Sequence, residues 1–541
     1  MGKLETYKHP GEPTQETYEA WQVFGAGIEN VGRDGKPTTQ PLREPKDDEV
    51  LVRIDVLGLC LSDMKIIKLG GDHPRLRGRD LANDPTVLGH ECACTVVKVG
   101  KQWQDKFKPG DRCIVQADIY VNGVSYAFGY TIPGGLAEYS YLDPRALDGD
   151  EGCYLLPVKD DTGYSQSALA EPWACVEMSY CLEERLTLKE GGKRLLLLAD
   201  SGDGAAYSQG AGEALTVPRS LEGMPEDDDF DDIIVEMPTP AIVNAVAQRL
   251  AKNGNLWLLG AAEEDGLVQL DVGAIHYENQ RVFGGGGTLE EVARANARND
   301  LKPGGTSLFI GAGGPMGQMH VQRAIEIEKS SGTVVVTDLD QGRLDHIGHR
   351  FGHMAEEKGV NLHLVCVKDY PTTEALDAYL KEFAPGGYDD VCVLVPVPAL
   401  CTEGVSLAGA NAFVNIFAGV PAGTLAHIPL GALCKGAKLI GCSGSRISDL
   451  RRILAMVESG QLDTNRSVAA IGGLRAAHEG LQGVRDAKYP GKTVIYTQIS
   501  DLPLMALEEI KDKVPGLEEK LSPEGGWTKE AEVALLERFL S

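Results

Sequence analysis

An internal repeat constrains this chain more than any other feature. Asp231-Asp232-Ile233-Ile234-Val235 matches Asp389-Asp390-Val391-Cys392-Val393, and both are followed by Pro-x-Pro-Ala, at Pro238 to Ala241 and Pro396 to Ala399. A helix and a buried strand come next, Leu256-Trp257-Leu258-Leu259 in one copy and Phe413-Val414-Asn415-Ile416 in the other. Each copy ends in a glycine-rich strand exit, at Val282 to Gly286 and at Leu439 to Gly444. The offset is roughly 157 residues throughout, and four elements in step are hard to obtain by chance. From about Gly191 to the mid-440s, short apolar runs alternate with helical stretches. That pattern predicts βαβ units and a parallel sheet, an α/β fold.

The copies are unequal. The second opens with an apolar run, Thr306 to Ile310, then Gly311-Ala312-Gly313-Gly314-Pro315-Met316-Gly317, then a helix. The first opens with Arg194 to Leu198, continues Ala199-Asp200-Ser201-Gly202-Asp203-Gly204, and is expected to lack a full helix and a second strand. An acidic linker, Glu222 to Asp232, intervenes. The first copy therefore reads as a shortened nucleotide-fold unit that has lost its ligand.

A glycine turn between a buried strand and a helix lets backbone N–H groups approach a pyrophosphate, and the helix N-terminus adds partial positive charge. Gly311, Gly313, Gly314, Pro315, Met316 and Gly317 are the candidate phosphate contacts, one residue off strict G-x-G-x-x-G spacing. The next strand, Thr333 to Thr337, ends in Asp338, roughly twenty residues beyond the loop, where a carboxylate can accept from ribose hydroxyls. An acid there repels a 2′-phosphate and favours NAD over NADP, while Arg343 works slightly the other way. The Gly284 to Gly287 run is a strand exit, not a second phosphate loop.

The region from about Glu49 to Tyr141 reads as short strands and turns whose loops carry reactive side chains. Gly58-Leu59-Cys60-Leu61-Ser62-Asp63, Gly89-His90-Glu91 and Ala170-Glu171-Pro172 supply thiolate, imidazole and carboxylate, all competent zinc ligands. With the turn Pro109-Gly110-Asp111-Arg112 and the run Gly134-Gly135-Leu136-Ala137-Glu138-Tyr139, these fragments resemble the zinc-dependent medium-chain dehydrogenase/reductase family, above all its sorbitol-dehydrogenase-like branch. The resemblance implies a β-rich GroES-like catalytic domain plus a Rossmann nucleotide-binding domain, here with an extra shortened Rossmann-like repeat. It implies that Cys60 and His90 bind zinc and that Glu171 fills the third position, directly or through water. Glu91 becomes a near or exchanging ligand, Asp63 orients His90, and Ser62 starts a proton relay. The implied activity is zinc-dependent, NAD(H)-linked interconversion of a secondary alcohol and a ketone.

Two departures from the family pattern stand out. The stretch Cys113 to Pro133, where many relatives carry four cysteines, holds one, so one catalytic zinc and no structural zinc are expected. Many relatives carry histidine three residues after the serine; this chain has Lys65, an alternative relay end or substrate contact. The loop between Cys60 and His90 is basic, with Lys65, Lys68, Arg75, Arg77 and Arg79, and lysine or arginine near a polyol site can bind phosphate. Gly313 to His320 also resembles the L-sorbose-1-phosphate reductase group. The expected substrate is thus a polyol, sugar or sugar phosphate. The alternatives are an NADPH-linked reductase of sugar phosphates and an inactive scaffold built on the duplicated fold.

The boundaries expected are a zinc domain over 1–185 completed by 445–541, the shortened repeat over 186–300, the NAD-binding domain over 301–444, and a mainly helical tail over 445–541. A net charge of −27 argues against nucleic acid as partner. Twelve dispersed cysteines without a visible signal peptide argue against a disulfide framework and for the cytoplasm. No apolar run is long enough for a membrane. Family members commonly dimerise by pairing nucleotide-domain sheet edges. A homo-oligomer is one expectation, and a monomer the other if the extra repeat covers that edge.

Overall fold

Val50–Gly58 is buried along its whole length, as a strand covered on both faces must be, and it is the spine of the catalytic part. The computed structural model describes residues 3–540 apart from 200–203, 219–220, 222–223, 225, 227, 263 and 328–329. The chain divides into two units, Met1–Glu177 with Gly444–Ser541, and Met178–Ser443. No described helix is long and apolar enough to cross a membrane.

In the first unit an eight-stranded sheet runs Leu155–Pro157, Arg112–Val115, Glu91–Val99, Val50–Gly58, Lys492–Tyr496, Val468–Gly473, Met505–Ala506, with Tyr139–Leu142 also on Val50–Gly58. Its register opposes Gly58 to Glu91 on one side and to Val494 on the other. Helix α1, Leu61–Leu69, begins just past that point.

The tail holds the helices Ile447–Glu458, Ala477–Arg485 and Lys529–Phe539, and between them strands of the first unit's sheet. Val468–Gly473 and Lys492–Tyr496 are fully buried sheet members, parallel to each other, and their runs of five or six residues carry no helical period. The last helix, Lys529–Phe539, is anchored through Glu532. Glu532, 1% exposed, accepts from the Tyr164 and Ser165 amides (2.6 and 2.7 Å) and from the Tyr496 hydroxyl (2.9 Å). A carboxylate with three donors can be buried without losing its hydrogen bonds.

In the second unit the strands, in chain order, are β1 Lys193–Leu198, β2 Glu213–Pro218, β3 Phe230–Glu236, β4 Leu250–Leu259, β5 Leu267–Asp271 and β6 Arg281–Gly285. They continue as β7 Thr306–Ile310, β8 Thr333–Asp338, β9 Asn361–Cys366, β10 Tyr388–Val393, β11 Ala408–Ile416, β12 Leu425–Pro429 and β13 Lys438–Ile440. Eleven form one sheet, ordered β2-β1-β3-β4-β6-β13-β11-β10-β7-β8-β9. Each half is parallel, and the halves meet antiparallel where Val282 opposes Leu439. β5 and β12 pair antiparallel as a second junction. The second half has the strand order of a dinucleotide-binding sheet, with its switch point between β7 and β10.

The repeated Asp-Asp pair is a clamp. Asp232 binds Arg185 at 2.6 Å and Asp231 binds Lys189 at 2.6 Å. In the second copy Asp390 pairs with Arg298, and Asp389 with Lys302 at 2.7 Å. Each clamp ties the segment entering the first strand of its copy to the strand beside it.

The first copy does possess a second strand, contrary to the sequence reading. β2 pairs with β1 over six residues. As an edge strand it buries only Val217 fully among its described side chains, so its apolar signal is faint. The described helix between them is a single turn, Ala205–Ser208. Asp200 to Asp203, the counterpart of the phosphate loop, lie outside the described residues.

Candidate active site

The end of strand Val50–Gly58 builds the metal-competent cluster. The Leu59 amide donates to the Thr493 carbonyl at 2.9 Å, which turns the chain so that Cys60 caps α1. Asp63, on the first turn, accepts from the Cys60 amide at 3.1 Å through one oxygen. Its other oxygen lies 3.3 Å from His90 Nδ1, where it fixes the ring orientation. Gly89 takes φ 92° and delivers His90 and Glu91 to the start of strand Glu91–Val99.

The ligand atoms of Cys60, His90 and Glu91 all lie within 4.8 Å of one another. Ser62 Oγ donates to Cys60 Sγ at 3.0 Å and stands 3.2 Å from His90 Nε2. Gly58 makes room, since a Cβ there would meet Glu91 Oε2 at 2.2 Å. That oxygen is buried without a hydrogen-bond partner. A thiol, an imidazole and a half-satisfied carboxylate converging in a buried place fit a zinc ion.

Glu171, in helix Ala170–Met178, is 6% exposed and stands outside that tight triad. Burial pushes its carboxyl up to about 8; His90 and Lys492 oppose the rise, while Glu91 and Asp118 add to it. Such a carboxyl ionises at neutral pH when a cation is close.

Sequence reasoning missed two residues. Lys492 is fully buried, pairs its ammonium with Glu91 Oε1 and donates to the Leu59 carbonyl at 3.2 Å. Nothing local marks it; strand register alone brings it there. Tyr130 packs its ring 5.6 Å from the His90 ring. Burial pushes its hydroxyl up to about 12.

The basic loop is mostly committed to structure. Arg75 binds Asp118 at 2.9 Å, Arg79 binds Asp84 at 2.8 Å, and Arg77 donates to the Ser125 carbonyl at 2.6 Å. Lys65 and Lys68 are exposed on α1 without ion-pair partners among the described residues. Lys65 is one helical step of three residues from Ser62 and so shares its face.

In the second unit the predicted loop sits between β7 and helix α2, Pro315–Glu326. Gly311 has φ 71°, and a Cβ there would come 2.6 Å from Val395. The Gly313 amide donates to Asp338 Oδ2 at 2.8 Å. Gly317 lets α2 lie on the loop, since its Cβ would meet Ala312 backbone at 2.5 Å. Gly314 caps α2 with open space before it, and Pro315 and Met316 follow in the first turn. Arg343 closes beside Asp338, its amide bound to Asp340 at 3.1 Å. Open backbone at a helix N-terminus with an acid on the next strand fits a dinucleotide.

Residues 46–147 match the alcohol dehydrogenase GroES-like domain. The chain is similar to L-sorbose 1-phosphate reductase of Klebsiella pneumoniae, 25% identical over 93% of this chain and 95% of that protein. It is 24% identical to mannitol-1-phosphate 5-dehydrogenase of Aliivibrio fischeri, over 91% and 92% of the two chains. Among solved structures, 2R,3R-butanediol dehydrogenase from Bacillus subtilis superposes with a TM-score of 0.53 at 15% identity, covering 89% of this chain and 99% of that one. Residues 46–147 thus form an alcohol dehydrogenase GroES-like domain, and these matches support a member of the medium-chain dehydrogenase/reductase superfamily.

Proposed function

We propose that this protein is a zinc- and NAD(H)-dependent oxidoreductase that interconverts a secondary alcohol and a ketone on a polyol, sugar or sugar phosphate. The observation that carries it is the convergence of Cys60, His90 and Glu91, with Ser62 between the thiol and the imidazole. A zinc ion held there supplies a Lewis acid that lowers the pKa of an alcohol. A nicotinamide dinucleotide on Gly311 to Gly317 and Asp338 supplies the hydride acceptor. Ser62 receives the substrate hydroxyl proton. Asp63 keeps His90 in the orientation that offers Nε2, and Lys492 holds Glu91 in place. Glu171 joins the cluster directly or through water, and a single zinc is expected.

Two features support a phosphorylated or hydroxyl-rich substrate. Lys65 presents an ammonium without an ion-pair partner among the described residues on the helix face that carries Ser62, and two relatives matched along nearly their whole length are named for a sugar or polyol phosphate. Metal analysis with NAD reduction over a panel of polyols and their phosphates tests the reading. About one zinc per chain and turnover on at least one member are expected; no zinc and no turnover would overturn it.

Asp338 favours NAD. Asp338→Ser removes a charge that repels a 2′-phosphate, so the NADP-to-NAD ratio of kcat/KM should rise at least about tenfold. An unchanged ratio would show that another group discriminates.

The chain itself supplies both strands of the β6–β13 junction. We therefore expect a monomer, read by light scattering as the mass of one chain. A dimer formed through β13 would require that junction to open.

A further inference from the structure

Among the described residues the first repeat has one helical turn between β1 and β2, and its helix Val272–Tyr277 packs on the second repeat. We propose that the first repeat acts as a built-in partner subunit that completes the nicotinamide end of the cofactor site, with Tyr277 contacting the cofactor and His276 positioning it. The proposal rests on the dinucleotide reading above.

The phosphate loop follows β7 and Asp338 ends β8, so the adenosine half of a dinucleotide lies toward β8 and β9. The nicotinamide half then lies over the carboxyl ends of β10, β11 and β13. The segment packed against those ends comes from the first repeat. It is the helix Val272–Tyr277, which follows β5. Asp271 accepts from the Gly423 amide at 2.6 Å, and the Val272 amide donates to the Thr424 carbonyl at 3.0 Å. His276 Nδ1 lies 3.2 Å from the carbonyl of Ile416, the last residue of β11.

Glycines stand where this helix presses on the strand exits. A Cβ on Gly419 would meet the Tyr277 hydroxyl at 2.3 Å and His276 Nε2 at 3.1 Å. A Cβ on Gly441, the residue after β13, would lie 2.9 Å from His276 Cα. Tyr277 packs edge-on against His276, ring centroids 4.5 Å apart, yet stays 42% exposed. A tyrosine anchored by its neighbour, with its hydroxyl at a glycine of the cofactor half, is placed to hydrogen-bond the nicotinamide ribose or carboxamide.

The pseudo-symmetry sharpens the point. The equivalent helix of the second copy, Leu430–Cys434, is followed by Lys435 and packs at Gly284, where a Cβ would meet the Leu433 carbonyl at 2.2 Å. That mirror-image contact serves the shortened copy. His-Tyr stands only on the helix that faces the competent one.

The test is titration of NADH and, separately, of AMP into wild type, Tyr277→Phe and Tyr277→Ala, with the unfolding midpoint measured on each. Loss of one hydrogen bond predicts NADH binding about fivefold weaker in Tyr277→Phe and more than tenfold weaker in Tyr277→Ala, with AMP affinity and the unfolding midpoint unchanged. Unchanged NADH affinity in both variants, or an equal loss for AMP, would overturn the proposal while leaving the cofactor reading intact. A wild type that binds neither ligand would remove the cofactor reading and the proposal together.

Discussion

Replacing Cys60 with alanine is expected to strip the protein of its zinc and lower turnover by roughly a thousandfold or more, the several kcal/mol that a Lewis acid contributes to a transition state. Two observations set that size. Cys60 provides the only sulfur of the cluster, and the remaining pair is an imidazole with a carboxylate already committed to Lys492. Three protein ligands are the usual minimum for a catalytic zinc, and the variant would keep two of the converging triad. The fold should survive, because Cys60 is only half-buried and caps α1 through its backbone. Zinc content and turnover are the measurements. A variant that retains both would move the metal to a different set of residues.

The second large effect lies in stability. Lys492 and Glu91 form a pair that is 4% and 0% exposed. Lys492→Met leaves the Glu91 carboxylate in the interior without its counter-charge, which costs about 3–5 kcal/mol. Glu91→Gln in the same chain removes the orphaned charge, so the double variant should recover more than half of the loss. Chemical denaturation of all three metal-free proteins gives both numbers. A loss under about 1 kcal/mol would mean that water reaches the pair and screens it. This pair also explains why the structure and the family resemblance weight the carboxylates differently. Glu91 stands with the thiol and imidazole but is held by an ammonium, whereas Glu171 lies outside that triad and forms no ion pair among the described residues, its carboxyl raised by burial.

Much of this site could be read from neighbours in the chain. A phosphate loop is a local object: Gly311 needs a positive φ, Gly317 needs no side chain, and Asp338 follows one strand later. Cys60, Ser62 and Asp63 lie on one helical turn, and His90 and Glu91 are consecutive. The repeated Asp-Asp pairs were visible as identities, although their role as clamps to Arg185 and Arg298 was not. The basic loop could be read in two ways, as an anion site or as a counterweight to nearby acids. Five cations in sequence look like an anion site, yet Arg75 and Arg79 meet carboxylates and Arg77 meets a carbonyl once the loop folds.

Residue type and short-range spacing therefore determined the chemistry proposed for this protein, with its donor set, relay serine and glycine loop, and the duplicated nucleotide fold. Three things were settled by long-range pairing. The register of Val50–Gly58 against Lys492–Tyr496 brings Lys492 to Glu91 across 401 residues of chain. The antiparallel meeting of β6 and β13 turns a duplication into one continuous sheet. Three tail segments enter the first unit's sheet as strands between the tail's helices. A periodic pattern reports which face of an element is buried, but not which distant strand will lie beside it; that choice depends on how whole edges and faces fit, and it leaves no mark on any single stretch of sequence.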